Sequence, residues 1–165
     1  MNKKDIILIV SAVLVACALA AVVIVLNKKP VIEISTEKTT YGETGYFTVS
    51  ASDFKDIAGA QFAVEFDNSA LTVTEITNGN IFDSVSVSEE DYANNNGVIE
   101  VMYLDYSGGD KPITLDGDLL YVRYEVIKPA DCPLLLRDVK FVDSTMEYIS
   151  GFRTVDGEVK TDAVH

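Results

Sequence analysis

The hydrophobic pattern of this chain changes character once. From Ile6 to Leu26 every residue except Ser11 is apolar, whereas from Val31 onward apolar and polar residues alternate in twos between closely spaced turn signals. The alternating part predicts strands at Val31–Ser35, Tyr46–Ala51, Ala60–Phe66, Leu71–Ile76, Val98–Tyr106, Leu120–Val126, Leu134–Phe141 and Phe152–Lys160. Turns fall at Tyr41–Gly45, Asp67–Ser69, Asn78–Asn80 and Asn94–Gly97, and Ser107–Pro112 is a loop. Phe82–Asn96 is less regular, and Ile113–Gly117 reads as a short helical turn or a bulge. About nine strands and no convincing amphipathic helix predict an all-β fold, an antiparallel jelly-roll sandwich.

The apolar segment has a different fate. As a helix, its 21 residues would be about 32 Å long, which matches a hydrocarbon core of roughly 30 Å. A cleavable signal has a shorter apolar region ending at a small-residue site. Here the apolar run continues past Ala16, Ala18 and Ala20, so a retained signal-anchor is expected. Leu14-Val15-Ala16-Cys17 loosely resembles a lipidation box, but apolar residues follow Cys17 where a polar tether is usual, and a membrane-buried thiol is expected. Flanking charge is balanced, Lys3 and Lys4 against Lys28 and Lys29. The short N-terminal flank opposite a folded domain favours an N-inside anchor with the domain exported to the cell surface. The chain thus divides into 1–29, a transmembrane or signal-anchor segment, and 30–165, one β domain.

Composition then sharpens the picture. The chain of 165 residues has a net charge of −13 yet a mean hydropathy of +0.18. Without the anchor the mean falls to about −0.3, an ordinary soluble value. The domain carries 9 basic against 25 acidic residues, a net of −16. Such a field repels phosphates and anionic lipid heads, which argues against nucleic acid and peripheral membrane docking. Its 15 aromatic residues are enough to build a core.

The available chemistry is sparse. The one histidine is the last residue, His165, which removes His-dependent nucleophilic designs and zinc sites, and no glycine-rich phosphate loop precedes a helix. Cys132 has no partner in the domain and no flanking Lys or His, so it reads as a strand filler. Acidic pairs for glycoside hydrolysis arise by accident among so many acids. Asp116-Gly117-Asp118 and Asp105 to Asp110 gather oxygen ligands, but neither fits the twelve-residue calcium loop. No cofactor and no catalytic role are expected. Sugar binding through exposed tyrosines such as Tyr92 and Tyr106 is an alternative, although the chain lacks Trp.

The strand Val98–Tyr106 is the informative one. With Ile99, Val101 and Tyr103 facing inward, Glu100, Met102 and Leu104 face outward, and two exposed apolar side chains on a flat face favour a partner surface. On the third strand the same parity sends Phe62, Val64 and Phe66 in, and Gln61, Ala63 and Glu65 out.

Taken together, the opening strand and turn, Ile57–Leu71, Gly97–Ser107, Ile113–Val126 and Val155–Val159 resemble the cohesin domain, the cellulosome module that binds dockerins. The resemblance implies a nine-stranded flattened jelly roll related to some carbohydrate-binding modules. It also implies a non-catalytic, monomeric receptor whose dockerin partner carries the calcium, and so a tether for polysaccharide-degrading enzymes. Residue by residue it points to Gly59 and Gln61 on the third strand and to Met102, Leu104 and Asp105 later. With Ala63 and Glu65 from parity, these make the candidate dockerin face. Cohesins of the best-known type commonly have Asn and Asp where this chain has Gly59 and Gln61, which implies a different dockerin specificity or another ligand.

Overall fold

The computed structural model describes residues 28–82, 85–107 and 110–162. The predicted anchor, its lipidation box and His165 lie outside the described residues, and among those described no helix is long and apolar enough to cross a membrane. The alternation folds as ten strands: β1 (Val31–Ile34), β2 (Thr36–Thr40), β3 (Thr44–Glu65), β4 (Leu71–Asn78), β5 (Ser86–Val87), β6 (Val98–Leu104), β7 (Ile113–Val126), β8 (Cys132–Asp143), β9 (Arg153–Val155) and β10 (Gly157–Asp162). Among the described residues one helix, α1 (Glu90–Asn96), precedes β6.

The long strand β3 organises the fold. Its first part, Thr44 to Ile57, pairs with β7 on one side, and residues 49–52 pair with β1 on the other. Its last part, Gly59 to Glu65, pairs with β6 and β8. The change of partners falls where register shifts flank Phe54 and where Asp53 and Asp56 take positive φ of 62° and 61°. Such bulges bend a strand and raise its twist, so one strand serves two sheets. Two strands were expected here, Tyr46–Ala51 and Ala60–Phe66. The polar run Ser52-Asp53-Phe54-Lys55-Asp56 looks like a break because bulges interrupt the parity, yet the chain stays extended through it.

The expected all-antiparallel order also needs correction. The pairs β1–β9 and β2–β10 are parallel. The chain changes sheet at Ser35 between β1 and β2, and again at Asp156 between β9 and β10, and the two crossings abut. A Cβ on Gly157 would lie 2.4 Å from the Ser35 carbonyl oxygen, so only glycine fits there. Asp156 fastens the crossing by accepting the Leu136 N–H at 2.7 Å.

Inward side chains of both sheets form one core, including Phe47, Val49, Phe62, Val64, Leu120, Val122 and Phe141. Tyr124 is fully buried with its hydroxyl 2.7 Å from Thr39 Oγ1, and burial pushes its phenol pKa up. Cys132 is buried and free, and burial likewise raises its thiol pKa. Ile113–Gly117 is part of β7, where the register skips Leu119 opposite Val49 and Ser50, so Leu119 and Leu120 are both buried. Helix α1 was not expected. It is seven residues long and buries only Ala93, too little for a helical period to show. Asn94 in α1 docks on β4, accepting from Val73 N–H at 2.7 Å and donating to its carbonyl at 2.8 Å.

Candidate functional site

Strands β5, β6, the end of β3, and β8 lie side by side in that order. Register fixes which outward side chains are neighbours. Ser86, Met102, Gln61 and Lys140 form one row across the four strands, and Leu104, Gly59 and Val142 form the next. In the other direction Ala63 lies between Glu100 and Arg137, and Glu65 reaches Arg137 at 3.0 Å.

The parity read from sequence holds on both strands. Ile99, Val101 and Tyr103 are buried, whereas Met102 and Leu104 are 56% and 44% exposed. Gln61 is exposed beside Met102 and Glu65 is exposed at the far end of the strand, opposite Val98, while Gly59 and Ala63 are buried and floor the face. Three shallow depressions of about 300, 390 and 170 Å³ share Met102 as a wall. The face is thus apolar at its centre and charged toward Glu65, Glu100 and Arg137, an arrangement common in protein interfaces. The Glu65–Arg137 pair is solvent-exposed and contributes at most about 1 kcal/mol to stability.

Asp105 is placed differently from its neighbours. Its carboxylate accepts the Ser107 N–H at 2.8 Å and the Ser107 hydroxyl at 2.6 Å, and the Lys111 N–H lies 3.4 Å away. It therefore pins the loop after β6, which carries Tyr106 at the rim of the face, 88% exposed. Tyr92 sits on α1, just before β6, and Tyr106 lies just after it.

Strand β8 and the turn after it supply residues that sequence parity missed: Lys140, Val142 and Tyr148. Leu134 and Leu136 point inward and so does Phe141, which has the opposite parity. The flip occurs at a bulge, where Asp138 takes φ 50° and the register shifts between Gln61 and Ala63. The turn is held by Asp143, whose Oδ1 accepts the Thr145 N–H at 2.9 Å, the Thr145 hydroxyl at 2.7 Å and the Glu147 N–H at 3.0 Å. Tyr148 follows, bridged to Val142 and 74% exposed.

These bonds, the Thr145 hydroxyl first, hold the Asp143 carboxyl pKa below its ordinary value. A carboxyl with a depressed folded pKa stabilises the turn above its unfolded pKa, and that contribution is lost as pH falls through the lower folded value. The turn is accordingly expected to stay closed from neutral pH down to about 4 and to loosen only below that. Asp143→Ala should open it at neutral pH, read as faster amide hydrogen exchange at Thr145 and Glu147. Unchanged exchange would show that the turn is held by other contacts.

Among the described residues no group of three or more His, Cys, Asp or Glu side chains is placed to hold a metal ion. In the acidic run 116–118, Asp118 accepts a hydrogen bond from the Tyr121 hydroxyl at 2.6 Å.

A family profile described as the cohesin domain matches residues 30–160. The chain belongs to the cohesin family. Cellulose-binding protein A of Clostridium cellulovorans is 27% identical over 135 residues, 79% of this chain but only 7% of that protein's length. A cohesin from a type I cohesin–dockerin complex of Clostridium thermocellum superposes with a TM-score of 0.70 at 25% identity, covering 82% of this chain and all of the other. A non-cellulosomal cohesin from the archaeon Archaeoglobus fulgidus is alike in fold, with a TM-score of 0.68 at 17% identity over 82% of this chain and 92% of its own. The cohesin jelly-roll sandwich expected from sequence is therefore the fold, with ten strands where about nine were expected. Against the eight segments read as strands in the sequence, Tyr46–Ala51 and Ala60–Phe66 merge into β3, β2 and the two-residue β5 are added, and Phe152–Lys160 divides at Asp156 into β9 and β10.

Proposed function

We propose that this cohesin is a non-catalytic receptor that binds a dockerin module through the outward face of β5, β6, β3 and β8. The observation that carries the reading is the exposed pair Met102 and Leu104 at the centre of that flat face, in a chain of the cohesin family. A solvent-facing apolar centre with a polar rim is what a protein partner covers. Gln61 beside it and Glu65 toward the far end of the face offer hydrogen-bonding groups, and the relative from Clostridium thermocellum was crystallised with a dockerin.

In this reading the domain of residues 30–165 acts as a monomer and the dockerin brings its own calcium. The apolar segment 6–26 anchors the domain at the cell surface, so a captured enzyme or other dockerin-bearing protein is tethered to the cell. The linker Asn27–Pro30 is short, which holds the domain close to the membrane.

The full chain should pull dockerin-bearing proteins out of the secretome of its source organism in calcium, and release them when calcium is chelated. Recovery of no dockerin protein would sink the proposal. Binding to a glycan array, lost on Tyr106→Ala or Tyr92→Ala, would favour the sugar-binding alternative in its place.

A further inference from the structure

We infer that the cleft floored by Gly59 is a specificity pocket that takes one aliphatic side chain of the dockerin; the inference rests on the dockerin-binding reading above. Gly59 stands between Leu104 on β6 and Val142 on β8. A Cβ built on Gly59 would lie 3.6 Å from Val142 Cβ, 3.7 Å from the Tyr103 carbonyl oxygen and 3.8 Å from Leu104 Cδ1, which is ordinary van der Waals contact. The missing side chain therefore leaves a slot about one side chain wide, with apolar walls that have no partner atoms between them. Tyr148 lines the same depression, carried there by the turn that Asp143 ties together.

The size and chemistry of the slot select its occupant. It is an open depression of about 170 Å³, room for a single large aliphatic side chain laid in from the partner. Among the described residues no carboxylate lines it. Its single formal charge is Lys140, at the end shared with Gln61, which disfavours a lysine or arginine. A serine or threonine would leave the walls of Leu104, Val142 and Tyr148 largely unfilled. A leucine, isoleucine or methionine would fill them, and burying such a side chain changes affinity by about ten- to a hundredfold. The glycine is consequently a recognition residue: its lack of a side chain is what the partner reads. Its φ lies outside the left-handed region, so the backbone does not require glycine at this position.

The test uses the full chain in detergent, titrated with a panel of purified, calcium-loaded dockerin modules. The tightest binder is then compared on wild type and on Gly59→Leu, whose side chain would occupy the slot. It is also compared with variants in which each exposed aliphatic residue of the dockerin is changed to Ser. Gly59→Leu is expected to weaken binding about tenfold or more. One dockerin aliphatic→Ser change should cause a similar loss, and the two losses should not add when combined. Tyr46→Ser, on the part of β3 that pairs with β7, serves as the control and should bind like wild type. If a dockerin binds and Gly59→Leu leaves its affinity unchanged, or the two losses add in full, the pocket assignment is overturned while the dockerin reading stands. If no dockerin binds the wild-type chain, both fall together.

Discussion

Met102→Asp is expected to weaken dockerin binding by at least about 100-fold while leaving the domain folded. Met102 lies at the middle of the β5–β6–β3–β8 face, in register with Gln61 and Ser86, and lines all three depressions on it. A partner seated on the face must cover it. An aspartate there would be desolvated without a cation directly opposite, since the residues across from it are an amide and a serine hydroxyl. Burying such a charge costs several kcal/mol, and Glu100 on the same side of β6 adds like-charge repulsion. In the free domain the same side chain is more than half exposed, so the substitution should change stability by about 0.5 kcal/mol or less. Calorimetric titration with a dockerin module and a thermal melt, run on the same sample, separate the two effects. Binding retained within a few-fold would move the interface off this face.

The pattern that identifies Met102 is local, and that is why it was legible. Seven residues of β6 alternate without a bulge, so counting by twos from Ile99 places every side chain correctly. The same counting on β3 places Gln61, Ala63 and Glu65. It fails wherever the strand count is interrupted. The bulge at Asp138 inverts the parity of β8, which hides Lys140 and Val142, and Tyr148 joins the face only through a turn whose closure depends on Asp143. The crossing in β3 is hidden for the same reason: with Asp53 and Asp56 at positive φ, an extended segment carries a polar run and reads as a loop. Asp105 shows a different limit. The sequence marks it as an exposed acid beside the face, but only its bonds to Ser107 show that the carboxylate is turned into its own loop.

Phe54→Ala is expected to lower stability by about 3–5 kcal/mol. Phe54 is 1% exposed and sits between the two bulges that carry β3 from one sheet to the other. Its ring centroid lies 4.2 Å from that of Phe141 and 5.7 Å from that of Phe152, and those two rings meet edge to face at 5.2 Å. Phe141 belongs to β8 and Phe152 precedes β9, so the cluster ties the sheet of β5, β6, β8 and the end of β3 to the strands of the other. Removing the central ring leaves a cavity that these neighbours cannot close without moving the crossing itself. Domains of this size have roughly 5–15 kcal/mol in hand, so the alanine variant should unfold at a much lower urea concentration with an unchanged slope. Phe54→Leu, which keeps most of the volume, should cost about 1.5 kcal/mol or less and serves if the alanine variant fails to accumulate. Because the bend it supports sets the register of Gly59 and Gln61 against β6 and β8, Phe54→Ala should also weaken dockerin binding under conditions where it is still folded. A urea midpoint equal to wild type would mean that the two bulges, and not the aromatic cluster, hold the crossing.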